Sequence, residues 1–77
     1  YSMQPTALVA LAEQHLRAGE LESAEQYARR AIDANAYSGE AWRVLGAVAE
    51  RAGRNEIALE HMRRAAALTP RDSGTQF

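Results

Sequence analysis

Side chains suited to packing recur at helical intervals in four segments of the chain. They lie three or four residues apart within each segment, in these four sets: Leu8, Leu11, Ala12 and His15; Ala24, Tyr27, Ala28, Ala31 and Ile32; Trp42, Leu45, Gly46 and Ala49; and Ala58, Met62, Ala65 and Ala66. Such spacing gives a helix one face that packs and one that meets solvent. The pattern therefore predicts four amphipathic helices.

Residues that start and stop helices separate these segments. Pro5 suits the first helical position, and Gly19 and Gly53 can take the left-handed conformation that ends a helix. Ser38 and Asn55 are candidate N-caps. The helices predicted from these signals run over about Pro5–Ala18, Leu21–Asn35, Gly39–Ala52 and from Asn55 to Leu68, and Pro70 follows the last one.

The chain repeats itself with a period of 34 residues. When residues 5–36 are placed over 39–70 without a gap, ten positions are identical, among them Gly19/Gly53 and the pairs Ala24/Ala58 and Ala31/Ala65. A fixed period of this length, with two helices in each unit, is typical of helical repeat arrays. We therefore expect an all-α fold of two antiparallel helix–turn–helix repeats, with 71–77 as the start of a truncated third repeat or a disordered tail.

The second unit resembles the tetratricopeptide repeat. It carries that family's pattern at Trp42, Leu45, Gly46, Gly53, Ala58, Ala65 and Pro70. The first unit matches more loosely and departs from the pattern at His15 and Ala36. The resemblance implies that the repeats stack as a right-handed α-solenoid.

The resemblance also implies where a partner binds. Such domains hold an extended peptide or a partner helix on the inner, concave face, which the first helix of each repeat lines. The corresponding residues of this chain are Thr6, Val9, Glu13, Leu16, Arg17, Glu40, Arg43, Ala47, Glu50 and Arg51. Within this set we expect Arg43 and Arg51 to meet acidic groups of the partner, because neither has an acid four residues before it.

Composition narrows the classes of partner. The net charge is −1, so no electrostatic field favours nucleic acid. The apolar runs are too short for a membrane span, and the absence of cysteine excludes disulfides and thiolate metal sites. We therefore expect a protein or peptide partner, with no nucleic acid and no membrane.

All nine basic residues are arginine, which agrees with a GC-rich coding bias. Three Glu–Arg pairs are spaced to form ion pairs along one helix: Glu13–Arg17, Glu25–Arg29 and Glu60–Arg64. The twin arginines at positions 29–30 and 63–64 recur in register, so they predict a basic ridge on the outer face. A solvated, ion-paired ridge is favoured over one that binds an acidic partner.

Nothing in the sequence predicts catalysis. His15 falls at a packing position, where a hydrogen-bonded core histidine is the expected state, and His61 is expected to be half exposed beside Glu60. No phosphate-binding loop, nucleophile motif or converging set of metal ligands accompanies them. The chain is therefore not expected to be an enzyme or to bind a cofactor.

The sequence thus favours a protein–protein interaction module, excised from a longer, bacterial protein because stable arrays usually hold three or more repeats. Two alternatives stay open. The chain can be the scaffold arm of a larger enzyme, such as a glycosyltransferase or sulfotransferase, whose catalytic domain lies elsewhere. It can also self-associate as a homodimer through the last helix, where Ile57, Met62 and Leu68 are expected to be exposed.

Overall fold

The computed structural model describes residues 3–68, and these residues form four α-helices. They are α1 (Pro5–Arg17), α2 (Leu21–Ala34), α3 (Gly39–Arg51) and α4 (Asn55–Leu68). The all-α prediction is confirmed, and each predicted helix is present with ends that differ by at most one residue. The sequence features expected at Pro70 and over 71–77 lie outside the described residues.

Local chemistry accounts for the helix ends. Pro5 opens α1 after an extended Gln4, and the Ser38 hydroxyl accepts a 3.3 Å hydrogen bond from the Ala41 N–H to cap α3. Gly19 and Gly53 adopt φ values of +80° and +82° after α1 and α3. Only glycine takes this conformation without strain, which explains why the same residue ends the first helix of each repeat.

The turns are short, so α1 and α2 form one antiparallel hairpin and α3 and α4 form another. The two hairpins stack, because α2 packs against α3 and α1 also contacts α3. Consequently α1 and α3 run parallel and side by side, with their N-termini at the same end of the molecule.

The core consists mainly of alanine. The alanines with no exposed surface are Ala12, Ala24, Ala28, Ala31 and Ala41. Leu8, Val44, Leu45 and Val48 pack around them, and no large side chain is completely buried in the described part of the chain. Small side chains let the helix backbones approach closely, so the stacking of the two hairpins depends on these alanines.

Gly46 of α3 packs against a large side chain of α4. A Cβ added to Gly46 would lie 3.0 Å from three atoms of Met62, so the methionine lies directly over the glycine. The equivalent pair in the first repeat is Ala12 and Ala28. A larger residue on α4 therefore accompanies the smaller residue on α3.

Trp42 has the helical spacing of a packing residue, but it is not largely buried. Its ring packs on the edge of the core and is half-buried. The indole N–H donates a 3.1 Å hydrogen bond to the Ala36 carbonyl, and the Arg64 guanidinium lies 4.9 Å from the ring centroid. The ring lies at the surface because its polar N–H reaches the α2–α3 loop there.

Candidate functional site

The ten residues predicted for the inner face lie on α1 and α3, which are adjacent and parallel. Six of the ten are exposed: Thr6, Arg17, Glu40, Arg43, Glu50 and Arg51. Glu13, Leu16 and Ala47 are half-buried. We call the surface that these nine residues form the inner face.

Val9, the tenth predicted residue, is mostly buried, and only its edge reaches the inner face. It is 5% exposed and packs in a core cluster with Leu8, Ala31 and Ala41. Val9 is covered because α1 packs against both α2 and α3. A larger part of the surface of α1 is therefore buried than a helix with one packing face would bury.

Two arginines of α3 bind α1 directly. Arg43 donates through Nη2 to Glu13 Oε2 at 3.3 Å, and Arg51 donates through Nη1 to the Leu16 carbonyl oxygen at 2.7 Å. A cation at the last turn of a helix interacts favourably with the partial negative charge there. Both side chains therefore tie the second repeat to the first.

These links join residues 30 and 35 positions apart, so the spacing of acids along one helix does not predict them. Glu13 pairs with Arg43 in place of the expected Arg17, whereas the expected Glu25–Arg29 pair is present at 2.9 Å. No local sequence signal identifies the Arg51 contact, because its acceptor is a backbone carbonyl. Both arginines expected to meet a partner already have an acceptor inside the chain.

The inner face contains a cavity at the end where α1 and α3 begin. Its volume is about 440 Å³. Thr6, Val9 and Glu40 line it from the two helices, and Tyr37 and Leu68 contribute to its wall. Three of the predicted site residues thus meet at one concave place, and Val9 contributes the little surface that it exposes.

Unpaired charges mark opposite ends of the inner face. Glu40 lies in the first turn of α3, beside the cavity, and Arg17 is the last residue of α1. Neither side chain forms a hydrogen bond or ion pair with any part of the chain that the structure describes. The inner face is therefore negative at its cavity end, and at the other end Arg17 and Arg51 outweigh Glu50, an exposed acid that also has no described side-chain partner.

The outer face is formed by α2 and α4, and most arginines of the predicted ridge are engaged there. Arg29 pairs with Glu25, Arg30 lies 5.5 Å from the ring centroid of Tyr27, and Arg64 lies over Trp42. The Arg63 side chain forms no ion pair, hydrogen bond or ring contact within residues 3–68. Of the four arginines, only Arg29 is paired with an acid, so the described part of the ridge is ion-paired at one position and solvent-exposed at all four.

A shallow groove runs between α2 and α4, with α3 as its floor. Two adjoining cavities of about 380 and 390 Å³ share Arg29, Leu45 and His61 as lining residues. Burial and the charge of Arg29 lower the pKa of His61 below its usual value. The expectation that His61 is half exposed is confirmed, and its ring lies 5.4 Å from that of Trp42.

His15 is not a core histidine. It is half-exposed, stacks on Tyr27 with ring centroids 5.3 Å apart, and hydrogen-bonds through Nδ1 to Glu20. Its ring covers the edge of the first hairpin, where the second hairpin has Ala49.

Exposed apolar side chains on α4 differ in part from those expected. Ile57 is exposed as expected, but Met62 and Leu68 are half-buried. Leu59, which was not expected, is 52% exposed. The signal for it was available in the sequence, since a leucine stands where the first repeat has Glu25.

Groups of side chains that could hold a metal ion were sought in residues 3–68, and none occurs there. None of the four described helices is both long and apolar enough to cross a membrane.

Comparison with known proteins adds one match. A family model described as the tetratricopeptide repeat matches residues 5–48, which is more than half of the chain. No curated protein and no solved structure matches the chain. Domains of this family serve in general as protein-interaction modules and are generally not catalytic. With four helices in two stacked hairpins and the family model over residues 5–48, this chain belongs to the tetratricopeptide-repeat family.

Proposed function

We propose that the chain binds an extended peptide or a partner helix along its inner face. The observation that carries the proposal is the cavity of about 440 Å³ at the end of the inner face, where Thr6, Val9 and Glu40 of α1 and α3 meet the α2–α3 loop and the last residue of α4. A concave place with apolar walls and a nearby charge is what a side chain of a docked segment requires.

The charges suggest the direction in which the segment lies. Glu40 favours a basic residue of the partner at the cavity, and Arg17 favours an acidic residue at the far end. Because α1 has 13 residues, the two charges are separated by about 15–20 Å along the face. About five or six residues of extended chain span this distance, so the partner carries an apolar and a basic residue at the cavity and an acidic residue about that far along its chain, in either direction.

Site-specific photocrosslinking tests the proposal. A photoreactive residue is introduced at Thr6 or Ala47 on the inner face, and at Gln26, an exposed residue of α2, as the outer-face control. In the native host, Thr6 and Ala47 should capture the same partner and Gln26 should not. Capture that is as strong from Gln26 would overturn the inner-face assignment.

Charge reversal refines the test. Glu40→Arg and Arg17→Glu change residues without a described partner inside the chain, so each should weaken capture and leave helicity unchanged. Glu22→Arg is the matched control, since Glu22 is also an exposed acid in the first turn of a helix but lies on α2. Arg43 and Arg51 are unsuitable for this purpose, because reversing them also breaks contacts between the repeats.

Self-association through α4 is the second candidate function. It is favoured by Ile57 and Leu59, which are 44% and 52% exposed on the helix that ends the described stack. Exposed apolar side chains that lie close together often mark a protein-binding surface.

A further inference from the structure

The repeat symmetry identifies the side of α4 that corresponds to the side of α2 in contact with the next repeat. On α2, Leu21 and Glu25 line a cavity with Leu45 and Val48 of α3, and Ala28 and Ile32 pack against the same core. These α2 residues therefore face the following repeat. Their equivalents 34 positions later are Asn55, Leu59, Met62 and Ala66, which we call the α4 side face.

The α4 side face is more apolar at its centre than its α2 counterpart. Leu59 replaces Glu25, which on α2 is half-buried and paired with Arg29. A leucine at this position loses the ion pair and exposes half of its surface, which is unfavourable for an isolated α4. A helix placed against Leu59 would remove this apolar surface from water.

Three unpaired charges lie beside Leu59 and line one depression of about 300 Å³ on α4 with it. Glu56 lies three residues before Leu59 and Arg63 four residues after it, whereas Glu60 follows Leu59 directly and lies on the side of the helix that turns away from Met62. Neither the Glu56 nor the Arg63 side chain forms an ion pair or hydrogen bond within residues 3–68. An acid before the leucine and a base after it become complementary to themselves when a second, antiparallel copy of the helix is placed opposite.

We propose that the occupant of the α4 side face is a second copy of this chain, related by a two-fold axis beside Leu59. This inference rests on the proposed self-association and specifies its geometry. Leu59 of each copy packs against Met62 of the other, and Glu56 of each copy pairs with Arg63 of the other. These residues have the spacing of positions a, d and e in a heptad, and facing e positions set the orientation of antiparallel helices.

Stacking of α4 on α1 of another copy is disfavoured. The residues of α3 that meet the first repeat include Ala41, Val44 and Val48. Their equivalents on α1 are Ala7, Ala10 and Gln14, of which Ala10 and Gln14 are exposed. These α1 side chains are smaller and more polar than their α3 equivalents. They therefore offer Leu59 less apolar contact than a second α4 does.

Only one helix from each copy contributes, so the interface is smaller than that of a stable dimer, which buries about 1,200–2,000 Å². We therefore expect a weak dimer that forms and dissociates with concentration. Sedimentation equilibrium of the 77-residue chain from roughly 10 μM to 1 mM covers dissociation constants in this weak range.

A charge-swap experiment tests the pairing. Glu56→Arg and Arg63→Glu should each weaken dimerisation by about tenfold or more, because each places like charges opposite one another. An equimolar mixture of the two variants should associate as a heterodimer, and the double variant should form a homodimer again. Glu22→Arg, which changes the equivalent first-turn acid of α2, should leave dimerisation unchanged, and circular dichroism of each variant checks that the helices persist.

The outcomes distinguish self-association in general from the specific pairing of two α4 side faces. A wild-type chain that stays monomeric at the highest concentration overturns both the self-association and this pairing. A dimer that Leu59→Arg does not weaken, or whose single charge variants fail to associate when mixed, leaves self-association standing and overturns the pairing. Oligomers that grow steadily with concentration indicate open-ended stacking and also overturn it.

Discussion

The two hairpins have the same backbone arrangement but fill it with different side chains. The first repeat has Ala12 with Ala28, and the second has Gly46 with Met62 at the equivalent positions. The residue on the inner helix becomes smaller while the one on the outer helix becomes larger. At this contact the two repeats keep a matched pair of facing residues rather than a residue type, whereas the buried positions Ala24/Ala58 and Ala31/Ala65 repeat the residue itself.

The aromatic contacts show the same kind of exchange. In the first repeat Tyr27 stacks on His15, and in the second the equivalent His61 lies beside Trp42. Both rings are on the outer helix, but their partners come from opposite ends of the inner helix. An arginine at the same repeat position, Arg30 or Arg64, lies over a ring in each case.

The largest predicted loss of unfolding free energy is at Leu8, which occupies the position equivalent to Trp42. Leu8 is 4% exposed, whereas Trp42 is half-buried. Leu8→Ala should therefore destabilise the protein by about 3 kcal/mol, and Trp42→Ala by no more than this, although tryptophan is the larger side chain. Urea unfolding measures both changes.

Tyr37→Ala is the control, because Tyr37 is 78% exposed and its removal should leave the unfolding free energy almost unchanged. A Trp42→Ala variant that is much less stable than Leu8→Ala would show that the tryptophan, and not the buried leucine, organises its repeat.

Arg51 and Arg17 offer a smaller contrast at identical positions of the two repeats. Arg51 donates to the Leu16 carbonyl, and Arg17 has no described contact of this kind. Arg51→Met should cost about 1 kcal/mol, as expected for the loss of one hydrogen bond. Arg17→Met should stay within about 0.5 kcal/mol of the parent protein, as is usual at the surface.

Thermal and urea unfolding compare the two variants. Equal losses for both would mean that the contact between α3 and the end of α1 does not stabilise the stack of repeats.

The pH dependence of stability sharpens the comparison between His61 and its equivalent, Tyr27. The pKa of His61 is lowered by burial and by Arg29, so the unfolded chain binds a proton more readily than the folded one. Neutral His61 stabilises the folded protein fully above its usual pKa of about 6.5. This stabilisation is lost as the pH falls through the pKa that His61 has in the folded protein. The free energy of unfolding should therefore decrease from about pH 7.5 to about pH 5.5.

His61→Tyr restores the residue type of the first repeat and should flatten this profile. Identical slopes for the parent and the variant over that pH range would contradict the lowered pKa.

Much of the fold was predictable because its signals are local. Pro5, Ser38 and the two turn glycines set the helix ends, and the alanine spacing identified the packing faces. The contacts of Arg43 and Arg51 were not predictable, since their acceptors are 30 and 35 residues away and come together only when α1 and α3 become neighbours. The burial of Val9 was missed for the same reason, because it depends on how closely the hairpins approach. Of the candidate site, the sequence predicted the two helices but not the cavity or its unpaired charges.

The central claim, that the residues facing one another at the contact between the two helices of a repeat are matched as a pair, is tested most directly by a double-mutant cycle at Gly46 and Met62. Gly46→Ala improves helix propensity by up to about 1 kcal/mol, but its Cβ meets Met62 at 3.0 Å and displaces it. In a Met62→Ala background, which recreates the alanine pair of the first repeat, the same substitution meets no such obstacle. The account predicts that Gly46→Ala is more stabilising in that background by about 1 kcal/mol, measured by urea unfolding of the four proteins. Effects that add within about 0.3 kcal/mol would contradict it.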